Sequence, residues 1–237
     1  LSNPIPEKIA TGEIGYGFNY RTLSVMLNGY YTQWMDKSVT KAIGSWNGPR
    51  ACIPNIDARH MGIELEASYQ PLEWLRVYGF FTIGNWRWTN DVNFTLFNEL
   101  NEKIGEYHAY IKNLHVGNAP QTSAMLGLSC MPVSGLTLGV DFNYYGRHYA
   151  DFAAADRTDE KDRAEAWKLP DYSTVDLNLN YDFKMGTFQG QLFGNVNNLF
   201  NRKYISDALD GSDHTRETAV VWYGFGITWT AGLRISF

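Results

Sequence analysis

The sequence has little that would suggest a helical, nucleic-acid-binding or disulfide-stabilised protein. None of its 237 residues lies in a run that approaches the roughly 20 apolar residues of a membrane-spanning helix, which excludes a helical membrane protein. The net charge is −5 and no basic stripe is present, which argues against binding to nucleic acid. The 2 cysteines, Cys52 and Cys130, are too few for a disulfide framework and lack the spacing of a metal site.

The sequence also lacks a recognisable catalytic or metal-binding motif. Its 5 histidines are scattered: His60, His108, His115, His148 and His214. The acidic segments 158–165 and 207–217 do not have the ordered Asp and Gly spacing of a calcium loop. We therefore predict that the chain is not an enzyme and has no cofactor and no metal. The first residues carry neither an initiator Met nor a signal peptide, so we expect that either a leader was removed or the chain begins inside a longer protein.

Alternation of apolar and polar residues with a period of two is the dominant pattern. It is sharpest around Val175, Leu177 and Leu179, which alternate with polar Asp176 and Asn178. This pattern predicts β-strands with one apolar and one polar face. Nine such segments are present: 13–20, 23–35, 61–69, 75–88, 124–130, 136–144, 173–183, 188–196 and 227–237.

The connections between these segments alternate in length. Four are tight turns of a few residues, as in β-hairpins. The other four are long and cover 36–60, 89–121, 150–171 and 201–220. Such alternation is typical of a membrane barrel with short periplasmic turns and long extracellular loops.

A soluble β-sandwich would also show alternating strands joined by hairpins. Strand lengths of about 9–14 residues favour a tilted membrane crossing over the usual strand of about 5–6 residues. Polar side chains such as Glu64, Glu66 and Asp182 would cover whole strand faces, which suits a wet lumen. These patterns favour the barrel, and both architectures stay open at this point.

Several segments resemble the C-terminal part of the barrel of TonB-dependent outer-membrane receptors, particularly those of Bacteroidetes type. The most specific match is the motif NVNNLFNRKY at 195–204, which is followed by a loop and a terminal strand ending in Phe237. The similarity extends over nearly the whole chain, in the order of the family.

The resemblance implies an all-β fold: a transmembrane antiparallel β-barrel, of which residues 1–237 would be the C-terminal nine strands. The whole barrel is expected to have about 22 strands. It also implies active import of a scarce nutrient, such as a metal chelate, a cofactor, a glycan or a peptide, across the bacterial outer membrane. The alternatives are a passive porin or structural barrel, and a soluble β-sandwich binding module.

The expected partners and topology follow from the same resemblance. A plug and the remaining barrel strands of the same receptor would precede this chain, and TonB would act through the plug rather than through this chain. Lipid, lipopolysaccharide and a surface lipoprotein are further candidate partners, and nucleic acid is not. The chain would cross the outer membrane several times, with its C-terminus in the periplasm.

Three groups of site residues are predicted. Seven polar side chains should face the lumen: Glu64, Glu66, Asp176, Asn178, Asn180, Asp182 and Arg234. Four apolar residues of the last strand resemble the barrel-assembly signal: Trp229, Leu233, Ile235 and Phe237. Five aromatic residues of the long connections are candidate ligand contacts: Trp46, Tyr107, Tyr110, Trp167 and Tyr204.

Three further predictions concern a hairpin, a short helix and the two cysteines. The long segment 89–121 should contain a hairpin formed by about 92–97 and 107–111. The segment 156–168 is the only one with helical periodicity and could form a short surface helix. Cys52 and Cys130 should not be bonded to each other, since a hydrocarbon layer of roughly 30 Å would separate them.

Overall fold

The structure, a computed structural model, describes residues 6–42 and 48–236. The described part contains thirteen strands and one short 3-10 helix, Ala154–Asp156. The strands are β1 (Lys8–Tyr20), β2 (Leu23–Ala42), β3 (Arg50–Leu72), β4 (Leu75–Trp88), β5 (Val92–Phe97), β6 (Lys103–Ala109), β7 (Pro120–Val133), β8 (Leu136–His148), β9 (Tyr172–Met185), β10 (Phe188–Asn197), β11 (Ile205–Leu209), β12 (Val220–Tyr223) and β13 (Thr228–Ser236). No helix of this part is long and apolar enough to cross a membrane.

Nine strands form one continuous antiparallel path. Their order is β1-β2-β3-β4-β7-β8-β9-β10-β13, so that chain neighbours are also spatial neighbours. This path corresponds to the nine predicted segments and confirms the antiparallel meander. The described strands do not form two facing layers, and Leu177 and Leu179 lie outside both buried apolar clusters. The soluble β-sandwich alternative is therefore wrong.

The two strands at the ends of the path have a partner on one side only. Among the described residues, β1 pairs with β2 alone and β13 pairs with β10 alone. All 13 residues of β1 are exposed. The sheet thus has two open edges, each with a row of backbone N–H and C=O groups that point away from the sheet.

β2 and β3 are longer than the alternation indicated. β2 continues to Ala42, and β3 already begins at Arg50. Most of the predicted connection 36–60 is therefore strand. The pairing of β2 with β3 shifts register after Trp34, and Asp36 and Asn55 have positive φ angles of 59° and 57°. Because a bulge moves the following side chains to the other face, it breaks the period-2 pattern and hid the strand extensions.

The hairpin in the second long connection is confirmed, with a shift in its second strand. β5 pairs with β6, and β5 also pairs with residues 50–52 of β3. The second strand is Lys103–Ala109 rather than 107–111, because Asn98 closes the turn earlier by accepting the N–H groups of Leu100 and Glu102.

Two other expectations about the connections need correction. A second hairpin, β11–β12, was missed, since its strands have only 5 and 4 residues. The helix at 156–168 is wrong, as only the single turn Ala154–Asp156 is helical. The Arg157 side chain does not lie on an exposed helix face. It is buried and forms an ion pair with Asp210, far along the chain.

The buried apolar clusters lie in the β3 extension and in the long connections, outside the nine strand segments that the alternation predicted. The larger cluster includes Ile53, Phe94 and Ile111, and the smaller one is Ala150, Leu169 and Ala208. The larger cluster therefore joins the β3 extension to the second long connection, and the smaller cluster joins the third and fourth long connections. No described residue of β1, β7, β8, β9, β10 or β13 belongs to either cluster.

Large apolar side chains of the sheet are instead exposed along one face. Ile14 is 80% exposed, Leu126 is 57% exposed and Leu233 is 58% exposed. The register places apolar residues side by side on this face, as in the row Val140, Leu177 and Val196. Contiguous exposed apolar surface of this extent marks a contact with lipid or another protein.

Cys52 and Cys130 are both free, in agreement with the prediction that they are not bonded to each other. Cys52 lies on the β3 extension and Cys130 lies near the short turn between β7 and β8.

The turn between β7 and β8 depends on a glycine. Gly135 has φ +83° and accepts the N–H of Asp182 at 2.8 Å, and an added Cβ would meet the Asp182 carbonyl oxygen at 2.3 Å. Gly186, in the turn between β9 and β10, has φ +61° with nothing within 4 Å of an added Cβ. The first glycine is therefore required for conformation and space, and the second for conformation alone.

We expect Gly135→Ala to lower thermal stability more than Gly186→Ala. Both variants impose a left-handed conformation on a residue with a side chain, at a cost of about 1–2 kcal/mol. Gly135→Ala must also displace the Asp182 backbone. The loss of the β-sheet circular dichroism signal on heating measures both variants, and equal midpoints would contradict this account of the turn.

Candidate functional site

The predicted lumen-facing residues lie on the polar face of the sheet, where three of them bond to polar side chains of neighbouring strands. Asp176 accepts a hydrogen bond from Asn143 at 2.9 Å, and Asp182 accepts one from Gln191 at 3.0 Å. Asn178 donates to Asp141 at 3.3 Å. The alternation and register place all seven predicted residues on this face: Glu64, Glu66, Asp176, Asn178, Asn180, Asp182 and Arg234. Whether this face lines the lumen stays a prediction.

A glycine makes room for a hydrogen bond on the polar face between two strands that are not neighbours. The Tyr78 hydroxyl donates to Asp141 at 2.7 Å across the intervening strand β7. Gly127 lies between these two side chains, and an added Cβ there would meet the Tyr78 ring at 2.4 Å and the Asp141 carboxylate at 2.5 Å. The small residue in β7 thus lets β4 and β8 bond directly across it.

An aromatic group that the sequence reading missed lies on the polar face near the long connections. The His60 ring is 6.5 Å from the Trp34 ring and 5.6 Å from the Trp86 ring, between centroids. Trp86 Nε1 donates to the Tyr30 hydroxyl at 2.9 Å, and Lys37 Nζ lies 4.2 Å from the Trp34 ring centroid. No local motif reveals this group, because strand pairing alone brings β2, β3 and β4 together.

A second aromatic group lies farther along the same face. The Tyr172 ring stacks on Tyr204 at 4.1 Å and lies 5.0 Å from Tyr145. Tyr204, a predicted ligand contact, is therefore part of a tyrosine stack at the start of the last long connection. Flat rings presented in this way suit a ligand with apolar or planar parts.

The second, third and fourth long connections, 89–119, 149–171 and 198–227, pack together at one end of the sheet. We call this assembly the cap. It contains three further predicted ligand contacts: Tyr107 stacks on Phe94 at 5.5 Å, Tyr110 lies 4.8 Å from the Arg163 guanidinium, and Trp167 packs against the smaller apolar cluster. Trp46 lies outside the described residues.

A cavity of about 230 Å³ lies between the cap and the extensions of β2 and β3. Its walls include the apolar side chains of Trp88, Ile111 and Phe152. Lys37 and Lys41 also line it, and neither forms an ion pair within the described part of the chain. The cavity therefore has aromatic walls and two lysines among its lining residues.

Ion pairs connect the second and third connections. Arg163 binds Asp91 through two hydrogen bonds of 2.8 and 2.9 Å. His115 Nδ1 lies 2.7 Å from Glu165, and the His115 ring stacks on Tyr149 at 3.9 Å. Burial lowers the pKa of His115 below its ordinary value, although the Glu165 carboxylate opposes this shift.

The predicted assembly-signal residues lie on β13. Trp229, Leu233 and Ile235 are all exposed, and Trp229 pairs with Val196 of β10. Phe237 lies outside the described residues. Their role in barrel assembly stays a prediction.

The described residues offer no metal centre. Within 6–42 and 48–236, no group of three or more His, Cys, Asp or Glu side chains is arranged to hold a metal ion.

The fold and the polar face define a class of protein: the wall of an antiparallel β-barrel with one apolar and one polar surface. Comparison with known proteins gives the family. Residues 2–199 match the family model described as "TonB dependent receptor-like, beta-barrel". The chain belongs to this family of outer-membrane transporters and receptors.

Similar proteins agree with this assignment. The chain is 32% identical over 80 residues to the ferrichrome outer membrane transporter/phage receptor of Escherichia coli (strain K12), a match that covers 33% of this chain and 9% of the relative. Among solved structures, the copper transporter OprC has a TM-score of 0.66 at 18% identity, over 98% of this chain and 31% of that one. The unliganded ferric citrate transporter FecA has a TM-score of 0.64 at 16% identity, over 98% and 32%. The chain thus spans about a third of the length of OprC and FecA.

The carboxyl groups of the cap should make it sensitive to acid. Burial raises the pKa of Asp91, but the hydrogen bonds from Arg163 and from the Lys112 N–H lower it more, so that the net pKa lies below the ordinary value. Burial likewise opposes the shift at Asp162, where the bond from His214 and the charge of Arg157 give a lowered pKa. A carboxyl with a lowered folded-state pKa stabilises the fold above its unfolded-state pKa, and this contribution is lost as pH falls through the folded-state value.

We expect the cap to resist pepsin at pH 5 and to be cleaved with increasing speed below about pH 4, the ordinary carboxyl range. Asp91→Asn should already be cleaved faster at pH 5 and should show a shallower pH dependence. Mass spectrometry of the fragments, normalised to an unfolded substrate, measures this. Asp213→Asn serves as the matched control, since Asp213 is exposed and bonds only to Ser212 within the described part of the chain. Identical pH profiles for all three proteins would refute a role for Asp91.

Proposed function

We propose that this chain is part of the barrel wall, with extracellular loops, of an outer-membrane transporter that actively imports a scarce nutrient. The observation that carries the proposal is a single sheet with a bonded polar face, an exposed apolar face and two open edges, in a chain of the TonB-dependent receptor family. The apolar face would contact acyl chains, for example through Ile63, Leu65, Leu177, Leu179 and Leu233. The polar face would line the lumen.

The open edges indicate the first partner. An unsatisfied backbone group in hydrocarbon costs several kcal/mol, so a strand row cannot stay unpaired in a membrane. β1 and β13 would therefore each pair with further barrel strands of the same receptor, up to the expected 22 strands. A plug would fill a lumen of that width, and TonB would act on the plug.

The expected orientation follows from the lengths of the connections. Short turns lie at the periplasmic end of outer-membrane barrels and long loops at the extracellular end. The cap would then face the exterior and the C-terminal strand would end in the periplasm. Lipopolysaccharide would surround the apolar face in the outer leaflet.

Ligand contacts would involve the cap and the aromatic groups on the polar face beneath it. The Trp34–His60–Trp86 group and the cavity with Lys37 and Lys41 combine flat rings with positive charge. These features would suit a bulky, anionic or aromatic nutrient complex. The ferrichrome and ferric citrate transporters make iron chelates reasonable first probes.

Uptake of a labelled nutrient tests the proposed function. Cells with the intact receptor should accumulate radiolabelled iron from at least one of ferrichrome, ferric citrate and a panel of other iron chelates, in competition with unlabelled chelate. Deletion of the receptor gene or collapse of the proton gradient should abolish this uptake. Receptor-dependent uptake that persists at the same rate without the gradient would contradict active import and favour a passive porin.

The assignment of the two sheet faces is tested by adjacent residues of β7. Leu128 points to the apolar face and Ser129 to the polar face. We expect Leu128→Lys to reduce the amount of folded receptor in the outer membrane, because a lysine facing the hydrocarbon midplane costs about 2–4 kcal/mol. Ser129→Lys, the matched control, should leave assembly nearly unchanged.

Heat-modifiable mobility on a denaturing gel measures the folded fraction of each variant. Equal losses for both variants, or a greater loss for Ser129→Lys, would overturn the assignment of the faces.

A further inference from the structure

Arg157 lies where the three connections of the cap meet. Its backbone carbonyl accepts the N–H of Tyr110, from the second connection, at 2.7 Å. Its guanidinium donates to Asp210, from the fourth connection, at 2.8 Å and to the carbonyl of Ala164, in its own connection, at 2.9 Å. The Arg157 side chain is only 2% exposed.

Asp210 completes the junction from the opposite side. Its carboxylate accepts the backbone N–H of Trp167 at 3.0 Å and lies 2.6 Å from His214 Nδ1. The Asp210 side chain is also 2% exposed. Asp162 contributes a second carboxylate, which lies 3.4 Å from Arg157 and 3.0 Å from His214 Nε2. One buried cation thus connects side chains of the third and fourth connections.

Backbone hydrogen bonds reinforce the same junction. The N–H of Asp151 donates to the Ala208 carbonyl at 2.8 Å, and the N–H of Asp210 returns a bond to the Asp151 carbonyl at 2.7 Å. The third and fourth connections therefore pair side by side for a short stretch. The second connection is joined to the third by the Arg163–Asp91 pair and by His115 and Glu165.

The ion pairs of the cap differ in burial, and therefore in how much the cap is destabilised when one partner is removed. Removal of one partner from a buried ion pair leaves an uncompensated charge in a region that water does not reach, which is strongly destabilising. The Arg163 side chain is 40% exposed, and an exposed pair of this kind contributes little because water and salt screen it. The Arg157 side chain is therefore the buried tie between the third and fourth connections, and the Arg157 carbonyl, which accepts the Tyr110 N–H, joins the second connection to the same residue.

We propose that the cap is a single cooperative lid, in which the Arg157–Asp210 pair and the bond from the Tyr110 N–H to the Arg157 carbonyl make the second, third and fourth connections open and close together. Residues in a contiguous unit of this kind lose their hydrogen-exchange protection in one event. Access to the polar face from the cap side would then require displacement of the whole lid and not of one loop. The role as a lid rests on the proposed function, whereas the cooperative opening rests on the contacts alone.

Hydrogen exchange of the intact receptor in detergent micelles tests this inference without any substitution. The N–H groups of Tyr110, Asp151 and Asp210 lie in the three different connections, and each donates to a carbonyl of another connection. Under conditions where each opening leads to exchange, they should share one opening rate. Clearly different rates would overturn the proposal.

Arg157→Gln provides the second test. We expect protection to fall on the order of a hundredfold in all three connections together. The matched control, Arg163→Gln, should change protection by no more than about fivefold. A loss confined to 149–171 in Arg157→Gln would contradict a shared lid. If that variant does not assemble, the rates of the unsubstituted receptor still decide the question.

The exchange experiment and the uptake experiment can fail separately. Unequal opening rates in a receptor that imports iron chelates would contradict the cooperative lid but would be consistent with the proposed function. A common opening rate in a receptor that passes solutes without the proton gradient would support the cooperative cap but would contradict active import.

Discussion

Each inner strand of the nine-strand path has a hydrogen-bonded neighbour on both sides. The rest of the structure depends on this continuous ladder of backbone hydrogen bonds. It fixes the register, so that a row such as Tyr78, Asp141 and Asp176 falls on the same face over four strands. It also satisfies the backbone polar groups that a low-dielectric surrounding would leave unpaired. Among the nine strands of the path, as far as the structure describes them, β1 and β13 are the ones that have such a neighbour on one side only.

The distribution of apolar residues is inverted relative to that of a soluble domain. Side chains such as Leu126 and Ile14 are exposed on the sheet, while the buried clusters lie beneath the cap. The sheet gains its stability from the ladder and from an apolar surrounding, and the cap gains its stability from packing and buried charge.

The nine strands and their order could be predicted because side chains in a strand alternate strictly between two faces. Where bulges at Asp36 and Asn55 shifted this alternation, the strand extensions were missed. The polar face could be predicted for the same reason, down to Asp176 and Asn178. The aromatic group around His60 could not, because its members come from three strands and meet only through register.

The junction at Arg157 was out of reach for a further reason. The sequence around it has helical periodicity, but its buried partner Asp210 lies 53 residues away in the chain. A long-range ion pair overrides the local preference and leaves no local signal. Similarly, β11 and β12 are too short to show a period, and they form because they pair with each other. Trp46 and Phe237 lie outside the described residues, so their predicted roles remain predictions.

The central claim is that both edges of this sheet continue into a closed barrel. In an antiparallel pair, alternate residues of β1 bond to β2 while the N–H groups of the others point to the free side. Residue-resolved hydrogen exchange of the membrane-embedded receptor can distinguish these two sets in β1 and, likewise, in β13. The account predicts slow exchange for both sets in both strands. Fast exchange of every second amide in β1 or β13 would contradict it.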